Sequence, residues 1–127
     1  MGAGLARRVA RFGHASAGLA ILARSQANAR LHVAAATAAI ALGAWLGIPR
    51  RDWALVALAI GLVITAEALN TAIEAAVDLA CPTPHPLAKT AKDVAAGAVL
   101  VAAVTALAVA GLVLGPALVA RVVGPPG

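Results

Sequence analysis

Three long stretches of this chain lack charged side chains, and this feature restricts its possible folds more than any other. Residues 94–120 and residues 31–48 contain no Asp, Glu, Lys or Arg. Residues 53–66 are also uncharged, and we expect their helix to continue to residue 80. A helix needs about 20 apolar residues to cross the ~30 Å hydrocarbon core of a bilayer. The sequence therefore predicts an all-α membrane protein with spans at residues 31–48, 53–80 and 94–120.

The overall composition excludes several classes of protein. Hydrophobic residues make up 62% of the 127 residues, and charged residues only 12%. A soluble domain of this size exposes too much surface to hide so much apolar material. We therefore exclude a soluble enzyme and expect one membrane domain over residues 1–127. The single cysteine, Cys81, cannot form a disulfide within the chain.

The first 30 residues have a different pattern. Apolar residues at steps of three and four place one stripe along a helix, and most of the arginines lie on other faces: Leu5, Val9, Phe12, Leu19 and Ala23. Residues 1–30 are therefore predicted to form an amphipathic helix on the membrane surface. A disordered basic tail is the alternative.

The net charge of +5 indicates topology rather than binding to nucleic acid. Three spans place the two termini on opposite sides of the membrane. Seven of the ten basic residues fall on the side of the N-terminus: Arg7, Arg8, Arg11, Arg24, Arg30, Lys89 and Lys92. Because the basic residues of membrane proteins concentrate in their cytoplasmic segments, we expect a multi-pass protein of the cell inner membrane with a cytoplasmic N-terminus.

The predicted second span carries an acidic stripe. At 100° per residue, five polar side chains share an arc of about 100° on one face: Glu67, Asn70, Thr71, Glu74 and Asp78. Ionised carboxylates are costly within a membrane and usually functional there. We expect the spans to supply too little positive charge to balance them, so that a divalent cation such as Mg²⁺ binds instead.

Basic residues follow this stripe in the next loop. We expect Lys92 and Asp93 to lie at the N-terminus of the third span, where backbone N–H groups favour anions. Basic side chains opposite a metal-binding carboxylate suit a nucleotide polyphosphate such as ATP. Lys89 and Lys92 are alternatively simple topology anchors. The stripe alone also fits a hydrogen-bond network between helices, an oligomeric channel, a proton-coupled transporter or a membrane scaffold without catalysis.

Two segments together resemble the signature of a known family. Residues 67–78 read Glu-Ala-Leu-Asn-Thr-Ala-Ile-Glu-Ala-Ala-Val-Asp. Residues 85–99 read His-Pro-Leu-Ala-Lys-Thr-Ala-Lys-Asp-Val-Ala-Ala-Gly-Ala-Val. They resemble the small prokaryotic lipid kinases, the diacylglycerol kinase and undecaprenol kinase family, and the likeness extends over about residues 11–105. Residues 70–74 and 85–89 look nearer to the undecaprenol kinase branch.

The resemblance implies a homotrimer with active sites shared between protomers. It implies transfer of the γ-phosphate of ATP to the hydroxyl of a membrane lipid, undecaprenol or diacylglycerol. Glu67 would be the general base, and Asn70 would help hold the acceptor or the base. Glu74 would be a ligand of the metal at the nucleotide. The remaining nucleotide contacts would come from His14, His85, Lys92 and Asp93.

One position departs from the family's pattern. Family members usually carry a glutamate where this chain has Gln26, and that glutamate joins the metal site. An amide keeps an oxygen ligand but removes a negative charge, so we expect weaker Mg²⁺ binding. A weakly active family member is the corresponding alternative.

Overall fold

The protein folds into four α-helices in the computed structural model, which describes the backbone of residues 2–25 and 27–124. In chain order the helices are α1 (Gly2–Ser25), α2 (Ala27–Leu46), α3 (Arg50–Ala80) and α4 (Pro86–Val123). Helices α2, α3 and α4 are each long and apolar enough to cross a membrane. The predicted all-α membrane protein with three spans is therefore confirmed.

Gly47 and Pro49 form the turn between α2 and α3. Gly47 has a φ of 66°, a left-handed conformation that glycine adopts at low cost after the end of a helix. The carbonyl of Pro49 accepts hydrogen bonds from the backbone N–H groups of Asp52 and Trp53, at 3.0 and 3.2 Å. Residues 50–52 therefore form the first turn of α3, although the predicted boundary at residue 53 placed them before it.

Helix α4 begins at Pro86, well before the predicted start of the span at residue 94. Proline is favourable in a first turn because its missing N–H group needs no partner there. His85 caps the helix, since its Nδ1 accepts a hydrogen bond from the backbone N–H of Leu87 at 3.1 Å. Residues 86–93 are consequently the first two turns of α4 rather than part of a loop.

A cluster of aliphatic side chains joins the three long helices near the α2–α3 turn. Its buried members are Ile48, Val56, Val113 and Leu114. Gly43 lies next to this cluster, and a Cβ added there would lie 3.1 Å from both Ile48 Cδ1 and the ring of Trp53. The missing side chain of Gly43 therefore allows Trp53 to pack against α2.

The most extensive helix contact is between α3 and α4. Ala59 on α3 and Ala95 and Ala102 on α4 are buried, and such small residues allow helices to approach closely in membranes. Many large aliphatic side chains remain exposed, among them Leu58 (71%) and Leu112 (78%). The apolar residues of the predicted stripe on α1, such as Phe12, are exposed as well.

Candidate functional site

The N-terminal end of the acidic stripe on α3 is buried. Glu67 is only 4% exposed, and its Oε1 lies 3.1 Å from Nε2 of His32 on α2. This oxygen has no hydrogen-bond partner among the described residues. The two side chains are therefore in close polar contact, and Glu67 keeps an acceptor position open.

Two further buried oxygen atoms lie on the same face of α3. Asn70 Oδ1 and Thr71 Oγ1 have no hydrogen-bond partner within the part of the chain that the structure describes. The Nδ2 of Asn70 donates a hydrogen bond to Glu74 Oε1 at 3.1 Å. We call Glu67 Oε1, Asn70 Oδ1 and Thr71 Oγ1 the open oxygens. Because unpaired buried polar atoms cost free energy, this set is suited to a donor or cation from outside the chain.

The C-terminal end of the acidic stripe is paired with a residue of α4. Lys92 Nζ donates a hydrogen bond to Asp78 Oδ1. The spans were expected to supply too little positive charge for these carboxylates. Asp78 obtains a positive partner from just before the predicted third span, because the α3–α4 connection brings Lys92 back beside it. Lys89 donates to Asp93 one turn further along the same helix.

Lys92 and Asp93 do not lie at the N-terminus of α4. That prediction was wrong, because the helix begins at Pro86 and both residues belong to its second turn. Unpaired backbone N–H groups occur in the first turn of a helix. Any contact of Lys92 with an anion must therefore come from its side chain.

An open depression of about 680 Å³ lies beside the Asp78–Lys92 pair. Its walls are residues 81–85 of the connection and the first two turns of α4. His85, Lys89 and Lys92 all line it. The structure thus brings together two of the four predicted nucleotide residues, His85 and Lys92, around one basic depression.

Two predicted site residues remain, His14 and Gln26. His14 is exposed on α1. Gln26, the proposed departure in the metal site, lies outside the described residues. Within residues 2–25 and 27–124, no group of three or more His, Cys, Asp or Glu side chains could hold a metal ion.

The donor chemistry around Glu74 nevertheless suits Mg²⁺. This cation prefers hard oxygen ligands and commonly uses one or two carboxylates, with substrate phosphates and water as the remaining ligands. The Glu74 carboxylate and the open Oδ1 of Asn70 are oxygens of this kind. The residues present therefore fit a magnesium ion that arrives with a nucleotide.

Sequence reasoning missed His32 as a site residue. A cavity of about 300 Å³ lies between α2, α3 and α4, and among the described residues His32 is the one polar residue that lines it. Its signals in the sequence are a polar side chain in an apolar span and a place in residues 24–32, which also resemble the family. The register of α2 against α3 decides that this side chain meets Glu67, and no motif encodes that register.

Comparison with known proteins gives a consistent result. The model of the family described as prokaryotic diacylglycerol kinase matches residues 13–114. An undecaprenol kinase from Bacillus subtilis is 43% identical over 107 residues, which cover 84% of this chain and 87% of the relative.

Two further relatives are named as diacylglycerol kinases. The protein from Synechocystis is 42% identical over 113 residues, which cover 88% of this chain and 65% of the relative. The protein from Escherichia coli K12 is 32% identical over 104 residues, which cover 82% and 85%. These names favour the kinase interpretation over a channel, a transporter or a scaffold.

Proposed function

Because the chain belongs to the prokaryotic diacylglycerol kinase family and is therefore a lipid kinase, we propose that it transfers the γ-phosphate of ATP to the hydroxyl of undecaprenol. The choice of lipid is supported by the Bacillus subtilis relative named undecaprenol kinase, which matches over most of both chains. The likeness of residues 70–74 and 85–89 to that branch supports the same choice. Diacylglycerol is the competing acceptor.

The open oxygens support this proposal most directly. Glu67 Oε1 is buried, lies in an apolar span and lacks a hydrogen-bond donor among the described residues. A lipid hydroxyl that enters from the bilayer would supply such a donor. Asn70 Oδ1 and Thr71 Oγ1, within about one helical turn, would help hold it.

In the proposed reaction, Glu67 is the general base. Its carboxylate accepts the proton of the lipid hydroxyl while the hydroxyl oxygen forms a bond to the γ-phosphorus of ATP. The bond from that phosphorus to the β,γ-bridging oxygen breaks, and ADP leaves. Positioning and charge neutralisation provide most of the catalysis in such phosphoryl transfers.

The nucleotide is proposed to bind in the basic depression beside the α3–α4 connection. His85 and Lys92 line this depression, and Asp93 lies in the same turn of α4 as Lys92. Lys92 would exchange its contact with Asp78 for the phosphates of ATP. Glu74 lies about 10 Å along α3 from Glu67, which separates a nucleotide end of the site from a lipid end. His14 is proposed as a further nucleotide contact from α1.

Magnesium is proposed to bind with the nucleotide. Glu74 would hold it, and Gln26 would contribute an amide oxygen where the family carries a carboxylate. Mg²⁺ neutralises negative charge on the transferred phosphoryl group when it is bound. The loss of one carboxylate predicts a higher magnesium requirement than in relatives that carry glutamate.

We further propose that the protein spans the cell inner membrane as a homotrimer with its N-terminus in the cytoplasm. The distribution of basic residues supports the orientation. The exposed aliphatic side chains of the long helices, such as Leu58 and Leu107, support burial in lipid or against other protomers. Chemical cross-linking in native membranes tests the oligomeric state, since a trimer predicts a cross-linked product at three times the protomer mass.

Transfer of radiolabel from γ-labelled ATP to lipid tests the proposed activity. The purified protein is reconstituted in vesicles that contain either undecaprenol or diacylglycerol, with Mg²⁺ present. We expect labelled undecaprenyl phosphate with the wild type and a large loss of product with Glu67→Gln. Preferred labelling of diacylglycerol would overturn the assigned acceptor. No labelled product with any lipid acceptor would overturn the kinase function itself.

A further inference from the structure

His32 lies between the apolar cavity and the candidate base. Its ring lines the cavity between α2, α3 and α4, and its Nε2 lies 3.1 Å from Glu67 Oε1. The His32 side chain is 21% exposed and the Glu67 side chain only 5%. Among the described residues, the basic side chain within ion-pair distance of the Glu67 carboxylate is thus that of His32, which belongs to a different helix.

A buried carboxylate needs a polar neighbour to fix its orientation and offset the loss of hydration. The other walls near this site supply none, because the cavity residues besides His32 are alanine and aliphatic residues. Asn70, the nearest amide along α3, donates its Nδ2 to Glu74 instead. His32 is therefore the described group placed to restrain the Glu67 carboxylate.

The contact leaves the reactive oxygen usable. Although Nε2 lies 3.1 Å away, Oε1 has no hydrogen-bond partner among the described residues, so an acceptor position stays open on that atom. A general base must lie within about 2.6–3.2 Å of the oxygen whose proton it removes, and small displacements of reacting groups are costly. A neighbour that restrains the carboxylate without occupying its lone pair meets both needs.

We propose that His32 is a positioning residue that holds the Glu67 carboxylate in the orientation needed to accept the proton of the lipid hydroxyl. The proposal rests on the lipid kinase function stated above. In this role His32 acts through Glu67. Because it comes from α2, it also makes the geometry of the base depend on the packing of α2 against α3.

Steady-state kinetics of three variants test this role. His32→Ala is expected to lower kcat about 10- to 100-fold, as loss of a polar residue that supports a reacting group typically does. The KM values for lipid and ATP should stay within about threefold, because the proposed role of His32 is to orient Glu67 and not to bind a substrate. His32→Gln keeps a polar side chain that can reach Glu67 and should recover most of kcat. Thr37→Ala is the matched control, since Thr37 is an exposed polar residue on α2 whose hydroxyl bonds only to Val33 O.

A double variant shows whether His32 works through Glu67. On a Glu67→Asp background the carboxylate is already withdrawn from the ring, so His32→Ala should cause less than about a threefold further loss. Wild-type kcat in His32→Ala, a change confined to KM, or full additivity with Glu67→Asp would each overturn the proposal. An inactive wild type would overturn the kinase function instead, so the two failures are distinguishable.

A spectroscopic measurement reads the contact without turnover. The ring nitrogen signals of ¹⁵N-histidine in the reconstituted protein are assigned to His32 by their loss in His32→Gln. Glu67→Gln should shift the Nε2 signal of His32 and leave those of His14 and His85 in place. An unshifted His32 signal would show that the contact is absent and would overturn the proposal even if the alanine variant fails to fold.

Discussion

Lys92 on α4 donates a hydrogen bond to Asp78 on α3, fourteen positions earlier in the chain. This contact ties the last turns of α3 to the second turn of α4 across the proline-rich connection. Both side chains are substantially exposed, at 37% and 63%, so solvent screens the pair and it adds little to stability. A pair this weak can be exchanged for a phosphate group without unfolding the site.

Lys92→Met is expected to raise the KM for ATP about tenfold, because it removes a charge-assisted contact to phosphate. Lys89→Met is the matched control. Lys89 lies one turn earlier and pairs with Asp93 on its own helix, so its loss should affect KM less. The measurement is kinase activity as a function of ATP concentration. Equal increases in KM for the two variants would contradict a specific role of Lys92.

Glu67→Gln is expected to lower kcat about 10²- to 10⁴-fold, since it removes the general base and keeps the size of the side chain. Asp52→Asn provides the control, because Asp52 lies in the first turn of α3, at the end of that helix opposite the site. Transfer of label to lipid measures both. If Glu67→Gln retains wild-type kcat, another group accepts the proton.

The magnesium requirement should follow the negative charge of the metal site. Glu74→Gln should raise the Mg²⁺ concentration for half-maximal activity about tenfold, whereas Gln26→Glu should lower it, because carboxylates bind this cation more strongly than amides. Titration of activity with Mg²⁺ at saturating ATP measures both shifts. A Gln26→Glu variant with an unchanged magnesium dependence would remove Gln26 from the proposed site.

Gly43→Val should destabilise the protein by about 1–3 kcal/mol, because even a Cβ there approaches Trp53 and Ile48 to 3.1 Å. Valine at Gly61 is the control, since a Cβ there meets nothing within 4 Å. Thermal unfolding in detergent, followed by circular dichroism, compares the two. Equal melting temperatures would show that the contact between α2 and Trp53 is not tight.

Cys81 reports the orientation of the chain, because it is the single cysteine and lies in the connection between α3 and α4. A membrane-impermeant maleimide should label it in inverted vesicles and not in intact spheroplasts. A Cys81→Ser chain with Arg51→Cys should show the opposite pattern, since Arg51 lies in the first turn of α3, at the other end of that helix. Labelling of Cys81 in spheroplasts would place the N-terminus outside the cytoplasm.

The sequence alone determined the three spans, because stretches without charged residues have few stable arrangements other than membrane helices. It also determined the acidic stripe of Glu67, Glu74 and Asp78, since the helical repeat places residues seven and eleven apart on one face. The start of α4 was not predicted correctly from the sequence. The His85 cap and Pro86 extend that helix before its apolar part, so hydropathy alone placed its start too late.

Only the tertiary structure decided which groups meet across helices. The pairing of Asp78 with Lys92 depends on how the connection returns the chain, and that of Glu67 with His32 depends on the register of α2 against α3. The open oxygens likewise became visible only once the packing showed which polar atoms lack a partner. Periodicity within one helix determines its faces, but the packing of small and large side chains between helices sets their relative rotation and depth.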